Sequence, residues 1–102
     1  MGRPAFELTP EARGDAADIL LTIADDSPRI AERVRVQLLE VLRRIGRNPG
    51  LGHYREDLLS RRYRFWAFYR YVIVYGWQAK RVRIIAILHG ARDLGVLLGA
   101  RE

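Results

Sequence analysis

The chain has 102 residues, 49% of them hydrophobic, with no cysteine and a formal net charge of +6. That size and composition predict one folded domain spanning residues 1–102 with a single modest core, and they argue against a disordered chain. They exclude a disulfide framework, a thiolate zinc site and a cysteine nucleophile, and no stretch reaches the roughly 18 apolar residues of a membrane span.

The charge is unevenly placed. Residues 1–28 carry two basic against six acidic side chains, whereas residues 29–102 carry sixteen against six. Of the 18 basic residues only Lys80 is lysine. A base composition favouring arginine codons explains part of this. The lopsidedness points further, to an acidic partner such as nucleic acid or an acidic protein, which guanidinium groups grip with two parallel donors. Glu7, Glu11, Asp15 and Asp18 stand where an export signal would place its apolar stretch, so a cytoplasmic location is expected.

In chain order, residues 3–8 predict a short strand with Phe6 and Leu8 on one side. Thr9-Pro10 reads as a helix N-cap followed by proline at the first helical position, and Glu11 suits the positive end of the helix dipole. The helix expected over 10–25 sets Ala12, Ala16, Ile19, Leu20 and Ile23 on one stripe. Ser27-Pro28 repeats the capping signature and opens a second helix over 28–46. Its apolar positions Ile30, Val34, Leu38, Val41, Leu42 and Ile45 step by three or four. Gly46 and Asn48-Pro49-Gly50 end it. So short a break predicts an antiparallel helical hairpin.

The second half changes character. Nine of the ten aromatic residues lie between Tyr54 and Trp77, and β-branched residues dominate from Val72 to Ile87. Strands are expected over 61–68, 70–77 and 81–89, joined by tight turns, with a short segment over 91–99 at the end. Tyr71 to Tyr75 is apolar on both faces and so belongs at the centre of the sheet, with Tyr71 and Tyr75 toward the helices. Period-two alternation puts Val82, Ile84, Ala86 and Leu88 on one face of the last strand and Arg83, Ile85, Ile87 and His89 on the other. By the same rule Arg62 and Arg64 share a face with Trp66, and Arg61 and Tyr63 point away. The fold class is α+β: an N-terminal strand and a helical hairpin packed on a mainly antiparallel sheet of three or four strands.

Taken together, Asn48-Pro49-Gly50-x-Gly52, the strand Tyr71-x-Ile73-x-Tyr75, and Val82-x-Ile84 leading into His89-Gly90-Ala91-Arg92-Asp93 resemble the RelE/ParE superfamily of type II toxin–antitoxin toxins. The likeness covers nearly the whole chain, and the final motif is closer to the ParE branch. It implies a ParD-like antitoxin whose acidic, partly apolar tail wraps the hairpin and sheet in a heteromeric complex. It also implies inhibition of DNA gyrase by binding, and the plasmid stabilisation associated with such pairs. The nuclease branch offers an alternative, a ribosome-dependent mRNA endonuclease. A third reading is a remnant that only binds its antitoxin.

For that endonuclease, His89 with Arg62, Arg64 and Arg83 would supply the proton transfer and cationic stabilisation that attack by a 2′-hydroxyl requires. The competing reading has His89 hydrogen-bonding Asp93 or backbone at the strand end. Arg92 and Asp93 read as an ion pair fastening the C-terminal segment, or as a target contact. Arg61, Arg62 and Arg64 form the densest basic cluster, either a binding surface or solvated edge-strand charge. The binding candidates are therefore Arg61, Arg62, Arg64, Trp66, Arg83, His89 and Arg92. Trp66, Phe68, Tyr69 and Trp77 could stack bases, although most aromatics at strand spacing pack in a core. His53 reads as a surface residue. Two histidines 36 positions apart without clustered carboxylates suggest no metal site, and Gly50-x-Gly52 lacks the later glycine and lysine of a phosphate loop. Ser27 and Ser60 fall at turns rather than in a hydrolase triad, and no cofactor is expected.

Overall fold

The computed structural model of the chain describes residues 5–101, so Arg3 and Pro4 of the expected first strand lie outside the described residues. Strand β1 (Phe6–Leu8) leads into helix α1 (Pro10–Asp26) and helix α2 (Pro28–Arg47). The Thr9 hydroxyl accepts from the Ala12 amide at 3.1 Å and the Ser27 hydroxyl from the Ile30 amide at 3.2 Å, satisfying donors that a helix start leaves free. Ser27 serves both helices, since its own amide closes α1 on the Ile23 carbonyl at 2.9 Å. With one residue between them the helices must turn back on each other. Asn48 ends α2, and a single 3-10 turn follows over Pro49–Leu51.

Strands β2 (Tyr63–Phe68), β3 (Tyr71–Gln78) and β4 (Arg81–His89) form an antiparallel meander, and a short helix α3 (Leu94–Gly99) follows. The sheet order is β1-β4-β3-β2, with β1 parallel to β4. The fold is α+β, with a four-stranded mixed sheet. Ala79 and Lys80 turn the β3–β4 hairpin with φ of 51° and 64°, a pair of left-handed residues that normally favours Asn-Gly.

Each face of the sheet has its own core. On the first, Val34, Leu38, Leu42 and Ile45 of α2 and Ala12 of α1 pack on Phe6, Ile73, Tyr75, Ile84 and Ile87. On the second, Leu59, Phe65, Val74, Ile85, Ala86 and Leu88 are covered by Leu94 and Leu98 of α3. Fully burying one such side chain contributes about 1.5–3 kcal/mol. Ile30 departs from its expected place and is half exposed. Ala31 takes the inward position, leaving Ile30 on the flank of the stripe.

The last strand corrects a second expectation. Tyr75 pairs with Ile84 and Val74 with Ala86, so Ile84 and Ile85 together oppose one residue of β3. This β-bulge shifts the phase of every later side chain. Ala86 and Leu88 join Ile85 on the second face, and Ile87 moves to the helix face. Arg83 precedes the slip and His89 follows it, so the two stand on opposite faces.

The bulge lies where β1 gives out, its last pair being Leu8 with Ile84. Two side chains continue the edge from there. The Arg101 guanidinium donates to the Ile85 carbonyl at 3.1 Å and to both oxygens of Asp15, at 2.5 and 3.0 Å. Asp15 in turn accepts from the Ile87 amide at 2.9 Å. This carboxylate holds the Arg101 guanidinium above its ordinary pKa.

Candidate functional site

The N-P-G-x-G segment and the central strand meet at one atom. The Tyr75 hydroxyl donates to the Pro49 carbonyl at 2.6 Å and accepts from the Gly52 amide at 2.8 Å. Burial pushes the Tyr75 phenol above its usual pKa, against the opposing pull of the Gly52 hydrogen bond and the Arg64 charge. A Cβ at Gly52 would lie 2.6 Å from the Tyr75 hydroxyl and 2.9 Å from the Arg64 Cβ, which leaves glycine as the residue that fits. Arg64 completes the joint, donating to the Gly52 carbonyl at 3.1 Å and to the Tyr54 hydroxyl at 2.8 Å.

Around that joint the chain gathers arginines at one end of the sheet. The guanidiniums of Arg61 and Arg64 lie 4.5 and 4.3 Å from the centre of the Tyr54 ring, within cation–π range. Arg61 therefore sides with Arg64, contrary to strict alternation, because β2 begins only at Tyr63 and the preceding turn does not follow strand geometry. Arg62 lies at the rim and reaches both sides. On one side it lines a groove with Tyr54, Arg64 and the half-exposed Trp77. On the other it lines a cleft of about 320 Å³ with Tyr63, Gly76, Arg81 and Arg83. Among the described residues no carboxylate lies within 4.0 Å of Arg62, Arg64 or Arg83; Arg81 faces Glu7 at 3.6 Å and Arg61 faces Glu56 at 3.9 Å.

His89 is elsewhere. It pairs with Tyr71 at the far end of the sheet, six residues beyond Arg83 and so roughly 20 Å along the strand. Its Nδ1 accepts from the Ala91 amide at 3.1 Å, and its ring meets Tyr71 edge-on at 5.6 Å. The partner is backbone rather than Asp93. Asp93 instead caps α3, accepting from the Val96 amide at 3.3 Å, and no ion pair joins it to Arg92, which is exposed in the preceding turn. Of the candidates for phosphate-cleaving chemistry, Arg62 and Arg83 come together, Arg64 stands across the rim from them, and His89 is remote from all three. Trp66 is half-buried against the helix-face core and stacks on exposed His53 at 6.1 Å.

Residues 6–94 match a sequence profile described as ParE toxin of type II toxin-antitoxin system, parDE. The chain belongs to the ParE toxin family. A search of curated proteins returned no match. The matched span holds the whole sheet, both long helices and the joint at Tyr75, and ends on the first residue of α3. A ParE toxin is one half of a type II toxin–antitoxin pair, so the family implies a ParD-type antitoxin as partner. No helix among the described residues is long and apolar enough to cross a membrane. Two parts of the site escaped sequence reasoning. Tyr54 gave no signal that two arginines would share its ring, and Arg101 stands 86 positions from the Asp15 it holds.

Proposed function

We propose that this chain is a binding-type toxin that inhibits DNA gyrase in the cytoplasm and is neutralised by its ParD-type antitoxin in a heteromeric complex. The observation that carries this reading is the bulge at Ile84–Ile85, in a chain of the ParE family. It puts His89 on the opposite face from Arg83, and the strand register places His89 at the opposite end from Arg62 and Arg64. Attack by a ribose hydroxyl needs a proton acceptor within about 3 Å of that hydroxyl and a cationic stabiliser against the adjoining phosphate. Groups separated by the length of a strand cannot serve one phosphate. The excess of basic over acidic side chains in residues 29–102 suits the acidic tail of an antitoxin.

The test is gyrase supercoiling and trapped cleavage complexes, measured with toxin freed from its antitoxin. Inhibition that the antitoxin reverses is expected. Toxicity in cells without any effect on gyrase would sink the proposal. The alternative, a ribosome-dependent mRNA endonuclease, draws on one observation, that Arg62 and Arg83 share a cleft whose Glu7 faces Arg81 instead of either of them. Mapping transcript ends in toxin-expressing cells separates the two, since only the endonuclease leaves cut messages.

A further inference from the structure

The cleft between Arg62 and Arg83 has no part in the gyrase reading above. Its position follows from the uneven cover of the second sheet face. Leu94 and Leu98 of α3 close the half around Val74, Ala86 and Leu88, while the half around Gly76 is left open beneath Tyr63, Arg81 and Arg83. Gly76 gives the floor no side chain, and Tyr63 lies over it, its ring 3.5 Å from where a Cβ would be. A second concavity, lined by Arg62, Arg83 and Arg101 with Glu11, adjoins the first. Glu7 faces Arg81 and Asp15 holds Arg101, so among the described residues no carboxylate lies within 4.0 Å of the other two cations of this face, Arg62 and Arg83.

Around the rim at Arg62 the surface continues into the groove of Tyr54, Arg61, Arg64 and Trp77. The Trp77 side chain, near the end of β3, is half exposed, and Tyr54 is held by its hydroxyl contact with Arg64. Guanidiniums alternate here with exposed aromatic rings. A peptide of carboxylates alone would use the cations and leave the rings idle. A nucleic-acid strand uses both, because each phosphate meets a guanidinium while an unpaired base stacks on a ring. The cleft volume of about 320 Å³ accommodates a phosphate with part of its sugar.

We propose that this belt, from Arg83 across Arg62 to Trp77, binds a single nucleic-acid strand by its phosphodiester backbone, with a base against Trp77. The strand is held by its backbone in this belt, and His89, at the other end of the sheet, takes no part in holding it. The site is independent of which enzyme the toxin meets, so its failure leaves the gyrase reading standing, and the reverse is equally true.

The experiment is fluorescence anisotropy of labelled single-stranded 12-mers of mixed sequence, one DNA and one RNA, titrated with the full chain across a salt series. The probes are chosen without reference to gyrase. Binding of either strand, tighter than a DNA duplex of the same length, is expected. Removing two phosphate contacts in Arg62→Ala/Arg83→Ala lowers the slope of log affinity against log salt by about 1.4 and weakens binding at least tenfold. Trp77→Ala weakens it about tenfold through lost stacking. Arg62→Lys/Arg83→Lys keeps both charges, retains most of the salt slope, and guards against a folding defect in the alanine variant. Arg29→Ala/Arg33→Ala removes equal charge from the exposed start of α2 and changes affinity less than threefold. The proposal is overturned if neither strand binds, or if the Arg29/Arg33 variant loses as much affinity as the cleft variant. It is equally overturned if a polyglutamate peptide of matching charge displaces the oligonucleotide as well as unlabelled strand does.

Discussion

The helix face of the sheet is covered by helices of 17 and 20 residues, the second face by one of six. The first face accordingly holds most of the large side chains that water does not reach, among them Tyr75, Ile45, Ile73 and Ile84. The second face is closed over part of its length and open over the rest, and the open part is where Arg62 and Arg83 stand. The contrast assigns stability to one face and leaves the other free to meet a partner. It also explains how a chain of this size keeps a charged surface beside its core: a longer cover would have had to bury Arg83 without a partner, at several kcal/mol.

The largest effect should come from the helix face. Ile45→Ala is expected to cost about 2–5 kcal/mol, because the cavity opens between two long helices and the central strands and cannot close. Leu98→Ala, equally buried, is expected at the low end of that range, since the short α3 can shift to fill the space. Urea unfolding gives both values, and hydrogen exchange should show residues 94–99 losing protection before the rest. Equal losses, with no local opening, would break the distinction between the faces.

Gly52→Ala probes the joint between the N-P-G-x-G turn and the central strand. Its Cβ would displace the Tyr75 hydroxyl and leave the Gly52 amide and Pro49 carbonyl without their partner, at about 2–3 kcal/mol in unfolding free energy. A wild-type melting curve would show that the hydroxyl is not needed to hold that turn.

Much of this was legible in the chain. The Thr9-Pro10 and Ser27-Pro28 caps fixed both helix starts because a hydroxyl acceptor and a proline at the first position leave few alternatives. Tyr75 was placed toward the helices by alternation alone, and the motif around Gly52 was seen, although its link to Tyr75 spans 23 positions and has no periodic signal. The bulge was illegible for a definite reason. Ile84 to Leu88 is apolar without interruption, so a slip in phase exchanges one buried aliphatic for another and leaves no polar residue out of place. His89, read in phase with Arg83, inherited the error. The density of the arginine cluster is plain in the chain, but its geometry depends on where β2 begins, and strand boundaries follow from pairing rather than local composition.

A smaller effect lies at the β3–β4 hairpin, beside the open half of the second face. Ala79 and Lys80 sit in the left-handed region, where a Cβ costs roughly 1–2 kcal/mol. Ala79→Asn with Lys80→Gly should therefore raise the stability by about 1–2 kcal/mol in thermal unfolding. A destabilised variant would contradict the type of turn assigned here.

The smallest effect concerns pH and belongs to the closed face. Burial raises the Tyr75 phenol above its ordinary value of 10.0, so the folded state favours the neutral form. Its contribution is complete below pH 10 and is lost as pH rises through the folded value, because the unfolded chain releases that proton first. The stability difference between wild type and Tyr75→Phe should therefore narrow above about pH 10 in denaturant titrations. A constant difference would mean that Tyr75 ionises alike in both states.

His89 stands apart from the arginines, and a toxin that binds gyrase has no need of it beside them. The most direct measurement compares wild type with His89→Ala in a gyrase supercoiling assay, with message cleavage followed in the same expressing cells. Gyrase inhibition within threefold of wild type, and intact transcripts in both, is the predicted result. Cut messages that become whole in His89→Ala, with gyrase untouched by either protein, would contradict it.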